Sequence, residues 1–301
     1  MKRIHIAVGS TMSRPGDVDG NLRQIERFAE KAGEVGADIL LTPELSAAGY
    51  GPYPAVLSTA EPAGDGPIYR ALAAMARTNG VVIGAGFAEA HTGKTYLSHY
   101  VVYPDGHFVV QRKHRVTLAE RPLTPGVNLI APDYQNNPPK DPADPGQPTE
   151  LRFRFFEVCG VRCAVAICAD SGITGVNEHF AANGVELLLL PAGAGGERKD
   201  RVTTADLATP QGRELYLKIL EMVFFPGRSV LDCIQYRRAL AAVNQCGFDG
   251  VRMYHLGHGM IITPFGEVPA LIHGLPNIDR QHALFTHAIV DVSDALPRDV
   301  G

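Results

Sequence analysis

No apolar run in this sequence approaches the roughly 18 residues that a helix needs to cross a bilayer, so no membrane-spanning helix is expected. Positive charge is not in surplus. The formal net charge is −4, which gives no electrostatic reason to expect nucleic acid or an anionic membrane as partner. Cysteine is sparse and odd in number, five in 301 residues (Cys159, Cys163, Cys168, Cys233, Cys246), which argues against a disulfide scaffold and for free thiols. Residues 1–9 carry too short an apolar stretch for a secretory signal and read as a first strand, so the cytoplasm is the expected location. The G-x-S-x-G elbow of the common α/β hydrolases is missing. Gly193-Ala194-Gly195-Gly196-Glu197 lacks the full G-x-G-x-x-G spacing of a nucleotide loop and reads as a loop beside a site. His255-Leu256-Gly257-His258 has no second ligand cluster at metal spacing. Neither cofactor nor metal is expected.

What is present is ordinary globular material, 45% hydrophobic and 20% charged. The coarse pattern is α/β. Apolar runs at 4–8, 37–41, 81–87 and 185–191 read as strands, and residues 21–34 place Leu22, Ile25, Phe28, Ala29 and Ala32 at helical spacing. Residues 67–78 read as a helix stopped by Asn79-Gly80, and 176–183 as a helix ended by Gly184. Pro104-Asp105-Gly106, between 95–103 and 107–113, and Cys159-Gly160, between 152–158 and 161–167, are hairpin signals. Cys159 and Cys163 are expected to be buried thiols. Near the C-terminus, 231–240 reads as helix, and 241–244, 259–263 and 287–292 as strands. Hairpins beside strand–helix alternation do not suit a purely parallel sheet, whereas two mixed sheets covered by helices on their outer faces suit both. A single domain over 1–301 is expected, with a proline-rich surface insertion near 133–149 and a second near 197–229. The second carries an apolar stretch at 215–225, expected as a lid or an interface element.

The chemistry concentrates in Ile167-Cys168-Ala169-Asp170-Ser171-Gly172. An apolar strand runs to Cys168, and small or polar residues follow before a helix begins. A thiol at such a bend projects into a cleft where following backbone N–H groups lie free; a buried strand-end cysteine suits the stretch equally well. Cys163, inside the strand, and Cys159, in the preceding turn, lack this geometry. A thiol of pKa ~8.5 is only a few per cent thiolate at neutral pH and needs a base or a nearby cation. Eleven histidines keep a Cys–His pair open. Two other charges also stand at strand ends: Glu44, after the apolar run 37–41, and Lys113, which closes 107–113. Each alone reads as a surface charge.

Together they read differently. Pro43-Glu44-Leu45 with Gly49-Tyr50, then Arg112-Lys113, then Cys168-Ala169-Asp170, resemble in order and spacing the glutamate, lysine and cysteine motifs of the nitrilase, or carbon–nitrogen hydrolase, superfamily. Ala242-Val243-Asn244-Gln245-Cys246-Gly247 and the run from His258 to Glu267 look like its two C-terminal motifs. The resemblance implies a four-layer α-β-β-α sandwich of two mixed sheets. It also implies a cysteine-dependent hydrolase that cleaves a non-peptide C–N bond in a small amide or carbamoyl compound through a thioester, with water as second substrate. Cys168 would be the nucleophile, Glu44 the base that takes the thiol proton and returns it to the departing amine. Lys113 and the backbone N–H of Ala169 would hold the oxyanion. Glu120, seven residues after Lys113, matches the second glutamate that supports the lysine and positions substrate; taken alone it also reads as a loop residue pairing with Arg121. A homo-oligomer built on a two-fold dimer is implied as well.

Departures bear on substrate. Nitrilases carry tryptophan and glutamate where this chain has Ala169 and Asp170, and the aspartate resembles the amidase-like branches instead. Ser171-Gly172-Ile173-Thr174 lacks the Arg-Phe-Pro of many amidase branches. Two rival readings stay open: conversion of a nitrile to acid and ammonia by the same residues, and a catalytically silent member serving binding or assembly.

Overall fold

Alternation shapes the first strand: β1 (Arg3–Ser10) turns Ile4, Ile6 and Val8 to one face and Ala7 to the other. Helix α1 (Val18–Glu34) begins ahead of its apolar spacing because Asp17 Oδ1 accepts the Gly20 N–H at 3.0 Å and caps the first turn. Next come β2 (Ile39–Leu41), a short α2 (Pro54–Leu57) and α3 (Pro67–Asn79), which opens on proline and stops at Gly80, φ +66°. β3 (Val82–His91) runs past the expected end at 87, and a tight turn at Thr92-Gly93, both at positive φ, reverses it into β4 (Lys94–Val102). β5 (Phe108–Arg112) and the small pair β6 (Leu129–Ile130) and β7 (Gln147–Pro148) follow. β8 (Phe155–Val158) and β9 (Val161–Val165) form the second expected hairpin, then come a 3₁₀ turn at Cys168–Gly172, α4 (Val176–Ala182), β10 (Leu187–Ala192) and β11 (Gly195–Glu197). The chain continues through α5 (Pro210–Phe224), α6 (Pro226–Tyr236), β12 (Ala239–Asn244), β13 (Cys246–Phe248), β14 (Met253–Leu256), β15 (Gly259–Ile262), β16 (Ala270–Ile272) and β17 (Leu284–Asp291).

This computed structural model describes residues 2–117, 120, 121, 123–127, 129, 130, 146–197, 205–224, 226–273 and 284–292. Most of the expected proline-rich insertion, residues 198–204, and the side chains of 218–227 lie outside the described residues. No described helix is long and apolar enough to cross a membrane.

Two mixed six-stranded sheets carry the fold, in the orders β17-β1-β2-β3-β4-β5 and β16-β15-β12-β10-β9-β8. β1, β2 and β3 are mutually parallel neighbours, as are β9, β10 and β12; the outer strands of each sheet run antiparallel. Between the sheets lie Ile6, Val8, Leu41 and Val101 from one and Val165, Leu189, Val243 and Ile261 from the other. The opposite face of the first sheet packs through Ala7, Ile83 and Tyr100 onto α1 and α3. That of the second packs through Ala164, Leu188 and Leu240 onto Phe180 of α4 and Cys233 of α6. The result is the expected α-β-β-α layering.

Two expectations need correction. The helix expected over 231–240 ends at Tyr236, and 239–244 is a strand: Ala239, Ala241 and Val243 face the inter-sheet core while Leu240 faces the outer helices. Alanine and leucine favour helices, so the propensity hid a two-residue period imposed by tertiary burial. Cys163 is buried as expected, but Cys159 is exposed at the β8–β9 turn, its backbone at φ +50° and its thiol donating to Asp38 Oδ1 at 3.2 Å.

Candidate active site

The C-terminal ends of β2 and β12, from different sheets, meet at one edge of the sandwich, where Gln245 Nε2 donates to the Glu44 carbonyl at 2.7 Å. Beyond β2 the chain is held tightly. Thr42 Oγ1 donates to Gly84 O at 2.9 Å and bonds Ser46 Oγ at 2.8 Å, and Ser46 Oγ accepts the Gly86 N–H. Leu45 sits at φ +51°, and a Cβ on Gly86 would come within 2.0 Å of the Leu45 nitrogen, so only glycine lets β3 approach this loop. Lys113, just past β5, is fixed by its own backbone: its N–H donates to Leu97 O and its carbonyl accepts from Gly126, each at 2.8 Å.

These anchors bring three charges together out of water. Lys113 Nζ donates to Glu44 Oε1 at 2.6 Å and to Glu120 Oε1 at 2.5 Å, and all three side chains are fully buried. Glu120 is saturated, with Tyr50 OH donating to Oε1 at 2.8 Å and the Thr117 N–H to Oε2 at 2.9 Å. Glu44 is not: Oε2 has no hydrogen-bond partner among the described residues.

Cys168 opens the 3₁₀ turn after β9 at φ +49°, an uncommon left-handed conformation for a side chain with a Cβ. It keeps partial exposure, unlike the buried Cys163, Cys233 and Cys246. Asp170, fully buried, ties this turn to the lysine segment. Its Oδ1 accepts the backbone N–H groups of His114 (3.0 Å) and Arg115 (2.8 Å), and its Oδ2 accepts that of Ile167 (3.3 Å). One carboxylate therefore sets the relative position of Lys113 and Cys168.

Burial dominates the electrostatics. It pushes the Glu44 carboxyl up to about 8; Lys113 pulls the other way, and the negative charge of Glu120 adds to the rise. For Lys113, burial works against the charged form, but the carboxylates of Glu120 and Glu44 outweigh it and hold the ammonium well above its usual range. The Cys168 thiol is raised by burial first and then by the Glu44 charge, with Lys113 and the Gly193 backbone opposing. At neutral pH the site thus holds a charged lysine, a carboxyl able to gain or lose a proton, and a thiol that needs a base at the moment it reacts. No group of three or more His, Cys, Asp or Glu is placed to hold a metal among the described residues.

The structure thus brings the expected Glu44, Lys113 and Glu120 into contact, with Cys168 in their electrostatic field and Ala169 next in the turn. Glu120 is buried against Lys113 rather than pairing with Arg121 as a surface loop residue. The structural parts of Tyr50, Asp170, Gln245 and Gly193 were not legible in the sequence. Each acts through a hydrogen bond or contact with a residue far away in the chain, and a buried polar residue inside a matching motif was the one available signal.

Residues 5–209 match the sequence profile of the carbon–nitrogen hydrolase family. An (R)-stereoselective amidase from Pseudomonas sp. is 25% identical over 256 residues, covering 85% of this chain and 76% of that protein. An N-carbamoylputrescine amidase from Solanum lycopersicum is 28% identical over 258 residues, covering 84% and 77%. Among solved structures, a cysteine-to-alanine mutant of the amidase from Nesterenkonia sp. AN1, in complex with butyramide, has a TM-score of 0.66 at 18% identity, covering 95% of this chain and 90% of that one. The shared fold is two mixed sheets with outer helices.

Proposed function

Because this chain belongs to the carbon–nitrogen hydrolase family, we propose that it hydrolyses a small amide or carbamoyl compound, with Cys168 as nucleophile, Glu44 as general base and acid, and Lys113 as oxyanion donor. Glu44 Oε2 takes the thiol proton as the sulfur bonds to the substrate carbonyl carbon. The oxyanion that forms is received by Lys113 Nζ and the backbone N–H of Ala169, at the start of a turn where N–H groups lack partners within the turn. Collapse breaks the C–N bond, and the proton on Glu44 leaves with the amine. Glu44 then takes a proton from water as water attacks the thioester carbon; the C–S bond breaks, the acid leaves, and Glu44 returns the proton to the Cys168 sulfur. Glu120 touches Lys113 and Tyr50 and holds the ammonium in place throughout.

The observation that carries this reading is the uncommitted oxygen Glu44 Oε2 beside an ammonium that spends two of its three N–H groups on Glu44 and Glu120 and so keeps one for the oxyanion. A silent member has no use for a buried carboxyl raised toward neutrality beside a strained cysteine. The amidase relatives support amides and carbamoyl compounds over nitriles, as does Asp170 in place of glutamate. Intact-mass analysis after incubation with butyramide, and in parallel butyronitrile, tests it. An acyl adduct on the wild type that disappears in Cys168→Ala is expected with the amide. An adduct or turnover with the nitrile alone supports the nitrilase reading, and neither supports a binding role.

Assembly is part of the proposal. Leu215 (47% exposed) and Leu217 (59%) on α5, with Leu231 (65%) and Ile234 (47%) on α6, present apolar surface that a second copy would cover in a two-fold dimer. A monomer by light scattering at micromolar concentration would remove this part alone.

A further inference from the structure

Lys113 is followed by a second buried polar side chain, that of His114, which the mechanism above leaves unused. Its ring stacks on Phe153, centroids 4.1 Å apart at 19°. Phe153 in turn packs edge to face on Phe180 of α4, the helix that follows the Cys168 turn. The backbone N–H of Arg152 donates to His114 Nε2 at 3.0 Å. A ring nitrogen that accepts has its lone pair spent and carries no proton, so the proton of this imidazole sits on Nδ1. A backbone donor thus fixes the tautomer.

That Nδ1–H has no hydrogen-bond partner among the described residues, and it stands 3.8 Å from Asp170 Oδ2. Buried donors in native proteins nearly always find an acceptor, and a shift of about 1 Å would bring this one within hydrogen-bond range of a carboxylate. Asp170 has room for it. Oδ1 already accepts the N–H groups of His114 and Arg115, whereas Oδ2 accepts one long bond, 3.3 Å, from Ile167 among the described residues. Ile167 immediately precedes Cys168, whose φ of +49° must be held in place by its surroundings. Asp170 Oδ2 therefore lies between an unspent N–H and the residue that leads into the nucleophile.

We propose that His114 is a positioning residue for Cys168: its Nδ1–H closes on Asp170 Oδ2 and steadies the turn that presents the sulfur and the Ala169 N–H to substrate. Hydrogen bonds at a reacting site are often long without substrate and tighten in the complex, so the contact acts most strongly once substrate is bound. His114 acts through Asp170, not on the substrate. The role rests on the reading of Cys168 as the nucleophile.

Two substitutions separate the ring nitrogens. His114→Asn keeps an N–H donor at the Nδ1 position, whereas His114→Gln keeps an acceptor for Arg152 at the Nε2 position and no donor at Nδ1. Each is assayed for kcat and KM on whichever of butyramide and butyronitrile acylates the wild type. Turnover is expressed per site acylated in intact-mass analysis, so that unfolded protein does not count. Loss of one charge-assisted hydrogen bond predicts a fall in kcat of about tenfold or more for His114→Gln with KM within about twofold, and His114→Asn should stay within about threefold of wild type. Added to Asp170→Asn, His114→Gln should cost less than about twofold more, because the oxygen it served is gone. A residue that only fills space would cost the same in both backgrounds. His114→Phe, which keeps the stack on Phe153, replaces His114→Gln if thermal melting shows that the latter does not fold. A kcat within about twofold of wild type in the folded variant without the donor, against the tenfold expected, overturns the inference while leaving the Cys168 reading intact. Equal losses in His114→Asn and His114→Gln, or losses that multiply with that of Asp170→Asn, overturn it in the same way. Wild-type protein that forms no adduct with either compound refutes the Cys168 reading and this inference with it.

Discussion

Replacing Lys113 with methionine removes a charge on which two buried carboxylates depend, and its effects on rate and on stability can be separated. Lys113 Nζ lies 2.6 Å from Glu44 and 2.5 Å from Glu120, with no part of the three side chains in contact with solvent. Deleting one member of such a cluster leaves uncompensated charge out of water, typically at a cost of about 3–5 kcal/mol. In a chain of this size that corresponds to a fall of roughly 6–10 °C in melting temperature. Loss of an oxyanion donor should independently lower kcat by about 10²–10³-fold. The pH dependence identifies the cause. Without the ammonium, the Glu44 pKa rises further above its unfolded value, so the folded state holds its proton more tightly than the unfolded chain does. A group with a raised folded pKa contributes stability that is present at low pH and lost as pH rises through the folded value. The melting deficit of Lys113→Met relative to wild type should therefore be smallest near pH 5 and grow toward pH 9. Lys113→Arg keeps the charge but brings a larger planar head into a fully buried position, so it should recover part of the stability and little of the activity. Differential scanning calorimetry across pH, with single-turnover assays on butyramide, makes the comparison. A rate loss below about tenfold would place Lys113 outside the oxyanion site. A melting deficit independent of pH would show that lost packing, not stranded carboxylate charge, explains the instability.

Three further outcomes follow from the same geometry. Glu44 works as a base only when ionised and is held up to about 8 by burial, so kcat/KM should climb as pH rises toward 8 and level off above it; a profile flat from pH 6 to 9 would exclude Glu44 as the base. Asp170→Asn leaves one of the acceptors for His114, Arg115 and Ile167 replaced by a donor, so kcat should fall at least tenfold with KM little changed, about the loss of one charge-assisted hydrogen bond; equal changes in both, or none, would deny it a positioning role. Gly86→Ala forces a methyl to within 2.0 Å of the Leu45 nitrogen and should cost about 1–3 kcal/mol in urea unfolding, with activity lost as the Glu44 loop shifts; wild-type stability would show that the loop yields freely.

Local features of the sequence determined much of the architecture. An apolar run at 4–8 and a helical period in 21–34 are properties of each segment's own side chains, so they read correctly without knowledge of neighbours. Turn glycines after 67–78 and at 104–106 worked likewise, because positive φ is a property of the residue itself. The order of Glu44, Lys113 and Cys168 along the chain marked the family. Their meeting did not follow from any local rule. It required β2, β5 and β9 to end at one edge of two stacked sheets, and strand order is settled by burial of both faces at once. Only the assembled structure decided that Glu120 shares Lys113 with Glu44, that Asp170 spans from residue 167 to 115, and that 239–244 is a strand. In each case the deciding energy is exclusion of water from polar or apolar groups far apart in sequence, which no single segment contains.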